Sequence, residues 1–273
     1  MALPDSYSKF SDVDKSDNPR LYINFLDLIT ASPNVQRYKQ TTYELLKLEA
    51  GSRVLEVGCG PGDDALAMAR LVGPQGQVTG LDFSQKMVDE ARRRAAGQNL
   101  PVEFVQGDVT SLQFAGNSFD GCRADRVLMH VPDAPLAIKE LVRVLKPGGR
   151  LVAFEPDWGA TTLDLPNREI TRKILNFIAD ECILNGWIGR QLARLFREAG
   201  LEVNTLWARP TVFTDYRIAN FIYKLEERAN MMAEAGRISQ AEKAEWLADL
   251  HTAIERGDFL LTSTNFMVCG IKP

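Results

Sequence analysis

Apolar and polar positions along the 273-residue chain follow two rhythms. From residue 53 onward, short apolar runs alternate with stretches in which apolar residues recur every three or four positions. The short runs predict strands near 53–57, 77–82, 102–106, 119–124 and 150–155. The longer period predicts helices near 63–72, 84–96 and 133–146. The last of these carries Ile138, Leu141, Val142 and Leu145 on one face, with Asp133 as its N-cap and Pro147-Gly148 as its stop. Such alternation predicts an α/β fold, doubly wound around a mostly parallel sheet that is covered on both faces. Ligands in these sheets bind at the carboxyl ends of the strands, near the switch in strand order.

The flanks read differently. Tyr22, Phe25, Leu26 and Ile29 have helical spacing ahead of the first strand. Residues 167–184 and 188–199 predict helices, the second ending at Gly200. Strands near 202–213 and 259–271 bracket a segment that reads as two amphipathic helices. The first shows Ile218, Phe221, Ile222 and Leu225; the second opens with a capping box, Ser239-x-x-Glu242, and carries Leu247, Leu250 and Ile254. The expected organisation is an N-terminal helical lid (1–46), a core (47–213), a helical cap insertion (214–257) and the final strand of the sheet (258–273). Lid and cap are expected to close over the cleft; packing on the outer helices is the alternative.

Bulk properties narrow the function classes. Hydrophobic content of 45% and charged content of 25% are ordinary for a globular chain, and a net charge of −4 gives no general attraction for nucleic-acid phosphates. Arg92-Arg93-Arg94 reads as the solvated C-terminal end of a helix, where cations suit the dipole. Ala2-Leu3-Pro4-Asp5-Ser6 lacks the apolar run of a secretory leader, and no stretch approaches the length of a membrane span. The four cysteines, Cys59, Cys122, Cys182 and Cys269, form no C-x-x-C pair, as expected of reduced thiols in a cytoplasmic protein. His130 and His251 alone do not furnish a histidine metal site.

The main candidate chemistry lies in Val54-Leu55-Glu56-Val57-Gly58-Cys59-Gly60-Pro61-Gly62. A strand runs into a turn with glycines at alternate positions, and a helix follows. Such a turn lets a ligand lie on bare backbone. A dinucleotide fingerprint would need a third glycine where Asp63 stands, and Asp63 and Asp64 would repel a pyrophosphate at the helix N-terminus. A phosphate-free cofactor with a sulfonium and an ammonium tolerates these acids and Glu56. Val78-Thr79-Gly80-Leu81-Asp82 ends a second strand in an acid placed to hydrogen-bond a ribose diol. Together these residues indicate S-adenosylmethionine, held at Glu56, Gly58, Cys59, Gly60, Gly62 and Asp82, with Phe83 and Met87 placed to pack either the adenine or the core.

This pattern resembles the class I S-adenosylmethionine-dependent methyltransferases, in particular the small-molecule branch with ubiquinone/menaquinone-type and natural-product enzymes. The family's glutamate-x-glycine-x-glycine-x-glycine is matched by Glu56, Gly58, Gly60 and Gly62, and its ribose acid by Asp82. Its adenine-side acid is matched by Asp108 in Gln106-Gly107-Asp108-Val109. Ser118-Phe119-Asp120 through His130-Val131-Pro132-Asp133 matches its segment around strand four, and Leu145-Lys146-Pro147-Gly148-Gly149-Arg150 the start of strand five. The resemblance is close over residues 50–160. It implies a seven-stranded Rossmann-like sheet and further cofactor contacts at Asp108, Val109, Arg123 and Ala124. It also implies in-line methyl transfer to an O, N or C atom of a small metabolite. A same-fold enzyme for cyclisation or decarboxylation, and a non-catalytic partner subunit, are the alternatives.

Methyl transfer from a sulfonium asks a protein chiefly to align the nucleophile and exclude water. In the family the loop after strand four faces the transferable methyl; here it reads Arg123-Ala124-Asp125-Arg126-Val127-Leu128-Met129-His130. Many relatives carry two consecutive histidines before the Pro-Asp, but Met129 takes the first place in this chain. His130 and Asp125 are therefore the catalytic candidates, His130 orienting more than abstracting a proton. Expected substrate contacts are Tyr22 from the lid (with Arg37 and Lys39 nearby), Arg126, and Asp157 and Trp158 on a rim that leaves strand five after Glu155. The Asn/Asp-Pro-Pro-Tyr of nucleic-acid amino-methyltransferases is not at 125–128, so the expected partner is a small molecule.

Overall fold

The computed structural model describes residues 13–273. Residues 1–12, read above for a leader and as the start of the lid, lie outside them. Seven strands form one sheet: β1 (Arg53–Val57), β2 (Gln77–Asp82), β3 (Val102–Gln106), β4 (Phe119–Asp125), β5 (Leu145–Leu163), β6 (Glu202–Phe213) and β7 (Leu261–Ile271). Their spatial order is β3-β2-β1-β4-β5-β7-β6, parallel except for β7, which runs antiparallel to both neighbours. The chain winds outward from β1 to β3 and then returns to lay β4 on the other side of β1. The carboxyl ends of β1 and β4 thus flank the switch point where such sheets bind ligands.

Helices α3 (Asp63–Val72), α4 (Gln85–Ala95), α5 (Ala134–Val144), α6 (Arg168–Phe177) and α7 (Ile188–Glu198) cover the sheet. Two helices precede β1, α1 (Pro19–Thr30) and α2 (Pro33–Leu46). Between β6 and β7 lie α8 (Tyr216–Tyr223), α9 (Leu225–Glu234) and α10 (Gln240–Arg256). Two expected caps are in place. Asp133 accepts from Leu136 N at 2.9 Å, and Ser239 and Glu242 form the reciprocal capping box. No helix of the described residues is long and apolar enough to cross a membrane.

Several elements differ from the sequence expectation. Helix α5 stops at Val144 because Leu145 already pairs with Phe119 in the sheet. Strand β5 does not end near 155 but runs to Leu163, matched against the long antiparallel β7. Glu155, Asp157 and Trp158 therefore sit inside a buried strand and not on a solvated rim. The segment between the last two strands holds three helices, because Lys224 adopts a left-handed φ of 51° and breaks α8 from α9. Residues 167–184 divide into α6 and a π-helical turn over Ile178–Cys182.

Candidate active site

The turn after β1 is built from left-handed glycines. Gly58 has φ 62° and Gly60 φ 51°, conformations that cost a side-chain-bearing residue about 1–2 kcal/mol. A Cβ on Gly58 would also stand 2.3 Å from Val127 Cγ2, in the loop after β4. Bare, partly exposed backbone is the result. Asp82, at the end of β2, holds this turn from the side: its Oδ2 accepts from Gly60 N at 2.8 Å and its Oδ1 from Ser84 N at 2.9 Å. Burial pushes the Asp82 carboxyl up, against the pull of these amides. Ser84 caps α4 and donates to Asp14, which also accepts from Gln85 N at 2.9 Å. The chain before α1 is thereby fastened beside Asp82.

Sheet register places Glu56 of β1 directly beside Arg123 of β4, both facing α2. The fully buried guanidinium of Arg123 donates to Glu56 Oε1 (2.5 Å), Asp64 Oδ2 (3.2 Å), Asp125 Oδ2 (2.8 Å) and Thr42 Oγ1 (2.8 Å). Asp64 gains Lys39 Nζ at 2.6 Å and the Tyr43 hydroxyl. Asp125 gains Arg126 Nε at 3.0 Å and the Tyr38 hydroxyl at 3.3 Å. Burial pushes both aspartates up, but the cations outweigh it and hold each below the ordinary carboxylate range. At Glu56, burial wins over Arg123, and the carboxyl is pushed up to about 8. Its Oε2 has no hydrogen-bond partner among the described residues. One face of α2 supplies Tyr38, Lys39, Thr42 and Tyr43, at i, i+1, i+4 and i+5. Of these only Lys39 was singled out in the sequence, because the partners of this face come from other elements.

These pairings alter one sequence argument. Asp63 is bound by Arg94 at 2.9 Å, and Asp64 by Lys39 and Arg123, so both acids are largely neutralised. A pyrophosphate is disfavoured by the missing third glycine more than by charge. Arg94 itself is not the solvated helix end expected of it. It is 18% exposed and joins Asp27 of α1 (2.8 Å) to Asp63 of α3 and to Glu90.

Beyond β4 the backbone bends at Arg126, whose φ is 58°. A 3₁₀ turn over Leu128–His130 follows. Glu155, fully buried on β5, accepts from the amides of Val127 (2.8 Å) and Leu128 (2.7 Å). Burial pushes its carboxyl up to about 8. Burial pushes the half-buried His130 imidazole down to about 4, with Arg126 adding to the shift, so the ring is neutral near pH 7.

The other expected residues divide by environment. Phe83 stands 65% exposed beside Asp82, whereas Met87 is buried against Tyr22 and Val13. Asp108 is exposed and accepts from Thr110 N and Oγ1, with Val109 buried next to it. Cys59 is buried, and its amide donates to Leu81 O at 3.0 Å; Ala124 is buried in the core. Asp157, expected at a substrate, is instead buried under α7 with its carboxylate engaged by Arg190. Trp158 packs on Tyr223 of α8 at 5.0 Å between ring centroids. Phe25 of α1 meets Phe221 of α8 at 4.1 Å, and Leu26 lies over Gly60. Arg37 is exposed on α2. No group of His, Cys, Asp and Glu among the described residues is arranged to hold a metal ion.

The sequence over residues 48–200 matches the model of a family described as a methyltransferase domain. The chain belongs to that family. Among its relatives, a 37.1 kDa uncharacterised protein from a Streptomyces fradiae transposon is 38% identical over 247 residues, covering 90% of this chain and 70% of that protein. A demethylmenaquinone methyltransferase from Listeria monocytogenes is 38% identical over 182 residues, 61% of this methyltransferase and 76% of the relative. In fold, it is similar to a phosphoethanolamine N-methyltransferase from Haemonchus contortus, solved with S-adenosylhomocysteine. That match has a TM-score of 0.62 at 19% identity and covers 97% of this chain and 60% of the other.

The methyltransferase uses S-adenosylmethionine, and the residues present fit that cofactor. The turn at Gly58 and Gly60 offers backbone without side chains. The unpartnered Oε2 of Glu56 suits an ammonium, and the half-buried Asp82 carboxylate suits a ribose diol. The exposed Phe83 ring stands beside it.

Proposed function

We propose that this methyltransferase moves a methyl group to a nucleophilic atom of an apolar, ring-bearing small molecule. The observation that carries the proposal is an aromatic cluster around α8: Phe25 of α1 on Phe221, and Trp158 of β5 on Tyr223, which in turn meets Phe213 of β6 at 6.0 Å. Phe25, Phe221, Trp158 and Tyr223 are buried against one another in the unliganded protein; parting α1 from α8 to admit a substrate would turn them into dispersion and stacking surface, while the neighbouring charges are largely paired with one another. The 38% identical relative named for demethylmenaquinone, an apolar ring, supports the same class. In this reading residues 13–46, the described part of the segment expected as a lid, close over the core of 47–213 and 258–273 together with a cap of 214–257. Trp158 and Tyr22 wall the substrate, and Arg126 stands at its mouth. Asp157 braces α7.

Glu56, Gly58 to Gly62, Asp82, Phe83, Asp108 and Val109 hold the cofactor, with Arg123 ordering Glu56 and Asp64 behind it. Bound S-adenosylmethionine supplies a methyl group already activated by its sulfonium. The chain's own contribution is to align the acceptor and keep water out. Neutral His130 accepts a hydrogen bond from the acceptor and so orients it. Asp125, held by its cations, anchors the loop. The buried free thiols of Cys59, Cys122 and Cys269 support a reducing, cytoplasmic setting.

The test is a competition with isotopically methyl-labelled cofactor among a reduced naphthoquinone, phosphoethanolamine and RNA. Label in the quinol ring fraction is expected. Label only in phosphoethanolamine or RNA contradicts the proposed class.

A further inference from the structure

After β4 the chain leaves the sheet while still buried, and its peptide groups need partners. Arg126 N still donates to Phe154 O at 2.8 Å, but the left-handed bend at Arg126 ends the strand pairing. The next two amides, of Val127 and Leu128, both donate to one oxygen of Glu155. The carbonyls of the same loop are held by another residue. Asn185 Nδ2 donates to Leu128 O at 2.9 Å and Val131 O at 2.6 Å, and its own amide donates to Met129 O at 3.2 Å. Two distant residues thus satisfy a loop that has little regular structure of its own.

The placement matters because Val127 rests on Gly58, where even a methyl group would collide with it. A shift of the loop by a fraction of an ångström changes the room above the glycine turn. An apolar side chain of similar size would fill the space under the loop without the cost of burying an acid. What it would lack is an acceptor for two adjacent amides.

We propose that Glu155 is a positioning residue of the methyl-transfer site, fixing the loop after β4 against the glycine turn and so placing Val127 and His130. The inference rests on the reading of the glycine turn as the cofactor site. Three variants separate placement from charge and from packing. Glu155→Gln keeps an acceptor oxygen at the same reach, Glu155→Asp draws it back by one methylene, and Glu155→Leu removes it.

The measurements are calorimetric titration with S-adenosylhomocysteine and hydrogen exchange at the Val127 and Leu128 amides of the unliganded protein. Glu155→Gln is expected to bind within about threefold of wild type, and the Asp and Leu variants at least about tenfold more weakly, the scale of a lost hydrogen bond to a buried group. Exchange at both amides is expected to quicken in the Asp and Leu variants and stay slow in the Gln variant. Equal affinity in all four proteins overturns the proposal, whatever happens to Tm. A weak Gln variant beside a tight Asp variant also overturns it, since charge and not placement would then govern. Should the Leu variant fail to fold, the Asp and Gln pair decides alone. Failure of the wild type to bind S-adenosylhomocysteine sinks the site assignment, whereas wild-type protection of both amides in the Asp variant sinks this inference.

Discussion

Asp82 has a double duty. It accepts from Gly60 and Ser84, so it shapes the glycine turn as well as facing the cleft. Asp82→Ala is expected to weaken S-adenosylhomocysteine binding by roughly 1.5–3 kcal/mol, the range for hydrogen bonds to a charged group. Wild-type affinity by calorimetry would contradict its assignment to the ribose. Glu155 makes a different prediction, through pH. Its carboxyl stands at about 8 in the folded protein because of burial, against about 4.3 in an unfolded chain. The folded state therefore binds the extra proton between these values. Its stabilising contribution is full below the unfolded value and is lost as pH rises toward 8. Glu155→Gln cannot ionise, so its Tm relative to wild type is expected to climb from pH 5 to pH 9. Parallel Tm curves over that range would contradict a neutral Glu155. Glu56 was legible in the sequence because it stands two residues before Gly58 at the end of β1, and Asp82 because it closes the next strand. Glu155 was visible as a residue, but its burial depended on how far β5 extends, which only the pairing with β7 decides.

At the scale of elements, the helix before α2 is held by charge as well as by packing. Arg94 reaches from the end of α4 to Asp27 of α1 and Asp63 of α3, joining three elements around the glycine turn. Arg94→Ala is expected to speed hydrogen exchange across residues 19–30 and to raise the dissociation rate of S-adenosylhomocysteine a few-fold. That is the scale of about 1 kcal/mol for a partly exposed pair. Unchanged exchange across α1 would show that packing alone holds it. The strands other than β5, and α3, α4 and α5, were legible from periodicity because their signals are local. The role of Arg94 was not, since a basic helix end looks the same whether it meets solvent or another helix. The polar face of α2 was hidden for a related reason: its partners, Asp64, Arg123 and Asp125, come from other elements. Sequence spacing cannot show such a meeting.

For the whole molecule, the segments before β1 and between β6 and β7 meet at Phe25 and Phe221, above the end of the sheet that carries the glycine turn. That contact joins the two segments that the sequence reading expects over one cleft, though no sequence signal pairs these two rings. If the pair forms a cover, S-adenosylhomocysteine should slow hydrogen exchange in both segments together. Protection confined to the glycine turn would leave them as packing on the sheet. The proposed site has the cofactor on the turn from Glu56 to Gly62, with its ribose on Asp82. A crystal structure of the protein with S-adenosylhomocysteine decides this placement. The expected density has the amino end beside Gly58 and Glu56, the ribose diol within hydrogen-bond distance of Asp82, and the adenine between Phe83 and Val109. Density for the ligand elsewhere, or a ribose turned away from Asp82, would contradict it.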